Sequence, residues 1–156
     1  MKFIRKIKNQ RPKEDEDFII FLKPILGFKL KNLHYYRKAF THSSIKEIKN
    51  GNPYNYERLE FLGDSLLDTI VASYLYNNVP HEDEGYLTKM RSKIVSRRNL
   101  NQIGKDLKLT NFVNSSVNQE KFGENIYGNI FEALIAAVFL DKGFKGCQKF
   151  IATNFK

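Results

Sequence analysis

At 156 residues the chain is long enough to enclose one hydrophobic core and too short for two independent ones. Hydrophobic residues make up 42%, including 13 Phe and 8 Tyr, which excludes a wholly disordered chain. The 26 Lys and Arg outnumber 17 Asp and Glu for a formal charge of +9, an excess that favours a polyanionic partner, either nucleic acid or an anionic membrane surface.

Residues 1–13 (MKFIRKIKNQRPK) are basic and lack the apolar core of a secretory signal. They read as an N-terminal arm, solvated or touching phosphate, ahead of a single domain at 14–156, and export is not expected. Glu14 to Asp17 then precede Phe18, Ile19, Leu22, Ile25 and Leu26, the order of a helix whose N-terminus is complemented by carboxylates. Pro24 is expected to kink or end it. A second helix is expected over 33–41, and the loop KNGNPYNY (Lys49 to Tyr56) carries enough Gly, Asn and Pro to break the chain. Asn55 is a suitable N-cap for a helix starting at Glu57. Over 57–77, Leu59, Leu62, Leu66, Ile70 and Tyr74 recur at three- and four-residue steps, predicting a helix buried on that face.

After Pro80, the groups Leu87, Met90, Ile94 and Leu100, Ile103, Leu107 predict two helices meeting near Ser96, with Lys89, Arg91, Lys93, Arg97 and Arg98 interleaved. Asn114 to Gln119 and Gly123 mark a loop. A last pair of helices, 125–140 and 144–155, is divided by Asp141, Lys142 and Gly143, the glycine serving as a C-terminal stop. The longest nearly uninterrupted apolar stretch, Ile130 to Leu140, contains Glu132 and falls well short of the roughly 20 residues a membrane span needs. Cys147 is the only cysteine, so no intramolecular disulfide and no cysteine-clustered zinc site is available, which fits a reducing cytoplasm. It reads as a small core residue. With no alternating strand pattern and no repeat, the fold class is all-α.

Glu57, Glu60 and Asp64 stand at spacings of three and four, which at ~100° per residue aligns them along one side of a helix, with Asp68 continuing the row. Carboxylates about 5 Å apart repel by roughly 3 kcal/mol per pair at an effective dielectric near ~20, so the row calls for a cation. On a solvated face that cation is a Lys or Arg four residues away, yet no basic residue lies between Arg58 and Lys89. The same deficit recurs between Lys121 and Lys142, where Glu132 sits among Ile130, Phe131, Ala133 and Leu134. A carboxylate facing that core needs a partner. Two helices each supplying oxygen ligands suit Mg²⁺, which prefers carboxylates and keeps part of its water, and which activates water and stabilises charge on a phosphodiester. Spacing alone leaves a second reading open, in which these acids are surface groups or salt-bridge partners.

The segment ERLEFLGDS (Glu57 to Ser65) resembles the ribonuclease III signature essentially in full. AFTHSS (Ala39 to Ser44) before it, DEGYLTKMRSKIVSRRNL (Asp83 to Leu100) after it and IFEALIAAVFLDKG (Ile130 to Gly143) stand in the family's order, so the resemblance extends over 33–151. It implies an all-α ribonuclease III endonuclease domain. Such a domain works as a homodimer with two metal-dependent sites, each cutting one strand of double-stranded RNA to leave a short 3′ overhang, in rRNA and mRNA processing. By position, Glu60, Asp64, Asn129 and Glu132 are the catalytic and metal-binding residues, with Glu132 the most critical ligand and Mg²⁺ the cofactor, Mn²⁺ substituting. Glu57 supports the subunit interface, Phe61 inserts into the partner subunit, and Glu84 is an accessory residue near the site. Lys89, Arg91, Lys93, Arg97 and Arg98 are weak contacts for RNA phosphate, a solvated helical face explaining them equally well. No membrane and no organic cofactor enter this reading.

Asn129 departs from the family, which has Asp three residues before its glutamate. An amide oxygen still ligates Mg²⁺ or orients a water, but it carries no charge, so metal affinity is expected to weaken. Either activity is retained, or the chain is a non-catalytic double-stranded-RNA-binding or ribosome-associated protein on the same fold. Bacterial members continue into a double-stranded RNA-binding domain that does not follow here, so weak, salt-sensitive duplex binding is expected. Recognition through A-form shape implies modest sequence preference. His34, His42 and His81 lack metal-ligand spacing and read as structural or surface groups, and Ser43 and Ser65 lack a base-and-orienter partner.

Overall fold

The computed structural model describes residues 11–155, so most of the basic arm at 1–13 lies outside the described residues. Within them the chain forms α1 (Lys13–Leu26), α2 (Leu33–Ala39), a hairpin of β1 (Ile48–Lys49) and β2 (Asn52–Pro53), α3 (Glu57–Asn78), α4 (Glu84–Ile94), α5 (Arg97–Asp106) and α6 (Ile126–Asn154). Short 3₁₀ turns at Leu109–Phe112 and Gln119–Lys121 lie between α5 and α6. The centre is α6: Ile130, Phe131 and every residue from Ala133 to Val138 are fully buried, and a helix apolar on all sides must be enclosed. The helices α3, α5 and α2 pack around it.

Short polar side chains set the helix starts, each such cap stabilising its helix by about 1 kcal/mol. Asn32 accepts from the His34 N–H at 3.1 Å, Asp83 from the Tyr86 N–H at 2.8 Å and Ser96 from the Asn99 N–H at 3.3 Å. At α3 the N-cap position is Tyr56 rather than the expected Asn55, which stands one residue earlier and accepts from the Glu57 N–H at 3.0 Å. Helix α1 continues through Pro24 and stops at Gly27, whose left-handed φ of 71° closes the last turn on the Lys23 carbonyl. Pro24 does not end it, because a proline in the last turn removes a single N–H donor.

Two expectations are corrected. The loop at 49–56 contains a hairpin pairing Ile48 with Pro53 and Lys49 with Asn52. Asn50 and Gly51 have φ of 52° and 77°, the pair of positive values a two-residue primed turn needs and Asn-Gly supplies. Two-residue strands are too short to leave an alternating pattern. On α3 the buried stripe is Leu59, Gly63, Leu67, Ile70, Val71 and Leu75, while Tyr74 is 63% exposed and Leu62 and Leu66 are half-buried. The true stripe runs through a glycine, which carries no hydropathy to mark it. The expected division of the C-terminal pair is present: α6 is two helical stretches meeting at Gly143, where φ 74° and ψ −173° suit only glycine.

Just before that break, Asp141 fastens α2 to α6. Its carboxylate accepts from the Lys31 N–H at 3.0 Å, the Asn32 N–H at 2.9 Å and the Tyr36 hydroxyl at 2.8 Å. Burial first, then this bond, push the Tyr36 hydroxyl's pKa above the usual tyrosine range. Asp141→Ala removes a charged acceptor from three donors and is expected to lower stability by about 2–3 kcal/mol, read from urea denaturation. A denaturation midpoint equal to wild type would refute this fastening role.

Candidate active site

Glycine determines how the two acid-bearing helices meet. A Cβ built on Gly63 of α3 would lie 1.8 Å from the carbonyl oxygen of Glu132 on α6, so the helices touch backbone to backbone at that point, which only a residue without a side chain permits. Glu60, nearly one turn earlier, and Asp64, the next residue, are thereby carried to Glu132.

Glu132 is 2% exposed. Burial pushes its carboxyl pKa up to about 7; the Arg97 charge pulls it down, and the neighbouring Asp64 and Glu60 push it up. Half-buried Glu60 is also raised, by burial first, with Arg97 opposing and Glu57 and Asp64 adding. The three acids form a gradient from exposed Asp64 through Glu60 to buried Glu132. Glu57 is exposed in the first turn of α3, and Asp68 continues the row half-buried.

The cation in this cluster is Arg97, the first residue of α5. Its Nη1 donates to Asn129 Oδ1 at 2.7 Å and stands 3.6 Å from Glu132 Oε2. Helix α5 reaches α6 closely because a Cβ on Gly104 would fall 2.5 Å from the Tyr127 carbonyl oxygen, and one on Gly128 only 2.8 Å from Asn101 Oδ1. Buried Asn101 joins them, accepting from the Gly128 N–H at 2.9 Å and donating to Asn125 Oδ1 at 3.2 Å. Sequence reasoning missed Gly63, Gly104, Gly128 and Asn101 as site-building residues. The available signal was Gly63 standing where the helical period demands a buried side chain.

The structure gives the other expected residues no contact with the cluster among the described residues. Phe61 is 79% exposed on α3. Glu84 begins α4 and accepts from the Thr88 hydroxyl at 2.7 Å. Lys89 and Lys93 on α4 and Arg98 on α5 are exposed, and Arg91 is half-buried. Arg97, grouped with them in the sequence, is turned to Asn129 and Glu132 instead. His42 Nδ1 accepts from the Ser44 N–H at 3.1 Å and its ring lies 4.8 Å from that of Phe122, a packing role. Cys147 is fully buried, and burial pushes its thiol up to about 12.

Among the described residues no three His, Cys, Asp or Glu side chains already stand in a chelating arrangement. The donor chemistry nevertheless fits a divalent cation. Of the carboxylates carried by the two helices, Glu132 stands 3.6 Å from the Arg97 guanidinium and Glu60 feels its charge, and Glu132, the most buried, is displaced to about 7. A hard cation bound through oxygen would relieve that excess of negative charge, and Glu60, Asp64 and Glu132 are the candidates to hold it.

Residues 32–156 match the model of the ribonuclease-III-like family. Ribonuclease 3 of Zunongwangia profunda is 55% identical over 152 residues, covering 97% of this chain and 63% of that protein. Ribonuclease 3 of Flavobacterium psychrophilum is 55% identical over 153 residues, covering 97% of this chain and 62% of its own. The chain therefore spans a little under two thirds of the length of these curated relatives. The crystal structure of the nuclease domain of ribonuclease III from Campylobacter jejuni superposes with a TM-score of 0.78 at 33% identity, covering 88% of this chain and 92% of that one. The matched region holds α2 to α6 and with them both acid-bearing helices, and the chain belongs to the ribonuclease-III-like family, with the helical fold of its nuclease domain.

Proposed function

We propose that the chain is the catalytic domain of an endoribonuclease that cuts double-stranded RNA as a homodimer, using Mg²⁺, or Mn²⁺ in its place, held by Glu60, Asp64 and Glu132. The observation that carries this reading is the backbone contact of Gly63 with Glu132, which gathers acids from two distant segments into one cluster. A cation bound there supplies charge stabilisation on a phosphodiester and an acidified water for in-line attack. Glu132 anchors the site on the rigid central helix. Asp64 and Glu60 form its solvent-facing edge, where a phosphodiester approaches.

Phe61 lies beside Glu60 with most of its ring in water, an arrangement that a partner subunit would relieve, with Glu57 at the same interface. Two such sites would cut one strand each, leaving short 3′ overhangs. Lys89, Arg91, Lys93 and Arg98 supply phosphate contacts, and Glu84 an accessory carboxylate. No helix among the described residues is long and apolar enough to cross a membrane, and a lone buried thiol suits a cytoplasmic protein of rRNA and mRNA processing.

Incubating a long RNA duplex with the protein and Mg²⁺ is expected to give short duplex fragments, abolished by chelation. Intact duplex across a broad range of Mg²⁺ and Mn²⁺ would contradict the proposal. The competing reading, a duplex-binding protein that does not cut, draws on Asn129, whose oxygen is occupied by Arg97; retained duplex binding without cleavage would favour it. Phe61→Ala is expected to weaken dimerisation at least about a hundredfold, seen by sedimentation velocity as a shift to monomer. An undisturbed dimer would remove Phe61 from the interface.

A further inference from the structure

Asn129 has a single side-chain oxygen, and Arg97 Nη1 donates to it at 2.7 Å. The same nitrogen stands 3.6 Å from Glu132 Oε2. This placement is built into the fold. Helix α5 starts at Arg97, capped by Ser96, and Gly128 leaves the guanidinium its space, since a Cβ there would lie 2.9 Å from Nη1. While the bond to Arg97 lasts, one of the two lone pairs of the Asn129 oxygen is occupied, and a cation approaching the other meets the positive charge of the guanidinium beside it. The Arg97 side chain is 42% exposed, so it has a route out to water.

We propose that Asn129 and Arg97 form a latch: Asn129 holds the Arg97 guanidinium beside Glu132 as a resident counter-cation, and a divalent ion reaches Glu132 by displacing it. Arg97 is then a competitor of the metal, and Asn129 is a positioning residue rather than a ligand. This accounts for carboxylates that lie close together without forming a ready chelate among the described residues, because the charge at their centre is already partly balanced. The inference rests on the reading of Glu60, Asp64 and Glu132 as cation ligands.

The latch and the ligand assignment of Asn129 predict opposite signs. Mn²⁺ binding to the whole chain, without RNA, is measured by electron paramagnetic resonance of free Mn²⁺ for wild type, Arg97→Met, Asn129→Ala and the double variant. Both single substitutions are expected to tighten Mn²⁺ binding by roughly 10- to 100-fold, the scale on which groups around a metal site tune it. The double variant should be no tighter than Arg97→Met alone, because both act through one contact. Weaker binding by Asn129→Ala would make Asn129 a ligand and overturn the latch, as would unchanged binding by Arg97→Met. A readout needing no variant is the ¹⁵N resonance of the Arg97 guanidinium in wild type, expected to shift and exchange faster with water as Mg²⁺ is added. An unmoved resonance at saturating Mg²⁺ would overturn the latch even if a variant failed to fold. Equal Mn²⁺ binding in all four proteins refutes the latch alone, whereas no binding in any of them refutes the carboxylate site beneath it.

Discussion

Gly63→Ala is expected to damage folding and cleavage together. The added methyl would fall 1.8 Å from the Glu132 carbonyl oxygen, 2.5 Å from its carbonyl carbon and 3.2 Å from its Cα. All three are backbone atoms, so no side chain can rotate away and α3 must shift against α6. Overpacking a core by one methyl costs about 1–3 kcal/mol where neighbours yield, and a contact between two helix backbones belongs at or above the top of that range. The shift also pulls Glu60 and Asp64 from Glu132, and a displacement of about 1 Å in a catalytic constellation costs on the order of a hundredfold in rate. Thermal denaturation and duplex-cleavage kinetics on one preparation would check both. A Gly63→Ala protein with wild-type melting temperature would contradict the close approach itself. Gly104→Ala offers a contrast: its Cβ would meet the Tyr127 backbone at 2.5 Å, so it should destabilise the seating of α5 while leaving Glu60 and Asp64 in place.

Glu132→Gln is expected to abolish cleavage and, in the absence of divalent ions, to make the protein more stable at neutral and alkaline pH. Burial, opposed by Arg97 and reinforced by Asp64 and Glu60, raises this carboxyl from 4.5 to about 7. Between those values the folded state binds more protons than the unfolded one, so stability falls as pH rises through the window, and the loss is complete above the raised value. At about 1.4 kcal/mol per pH unit the displacement corresponds to roughly 3 kcal/mol. The rise at Glu60 acts in the same direction. Glutamine is neutral throughout and removes the Glu132 contribution. Denaturant titrations of metal-free wild type and Glu132→Gln should therefore diverge as pH rises from 4.5 past 7. Mg²⁺ should narrow or reverse the gap, because an ion bound only by folded wild type stabilises it. Cleavage should fall by roughly a hundred- to a thousandfold or more, the scale of losing one electrostatic stabiliser from an enclosed site. Parallel stability curves would show that Glu132 carries no unrelieved charge.

Much of the helical frame was legible because its signals are local. Asn32, Asp83 and Ser96 cap the helices they precede, and the apolar run around Glu132 marked its helix as one that faces the core. The acidic row on α3, without any basic residue between Arg58 and Lys89, announced a charge problem that needed a distant solution. Its form was not legible. A glycine scores as neutral in any hydropathy pattern, yet Gly63 decides where α3 meets α6. The partners of Asp141 are the N–H groups of Lys31 and Asn32 and the hydroxyl of Tyr36, all remote in sequence, so it read only as punctuation before Gly143. Arg97 looked like one member of a basic helical face because spacing along α4 and α5 does not show that a side chain at a helix N-terminus turns inward. Asn129 likewise read as a weakened ligand, since its bonding partner lies on another helix.

Crystals soaked with Mn²⁺ and measured for anomalous scattering would test the proposed centre most directly. The expected result is an ion bounded by the carboxylates of Glu60, Asp64 and Glu132. Density for Mn²⁺ only at other surfaces, with Glu132 still paired with Arg97, would contradict it.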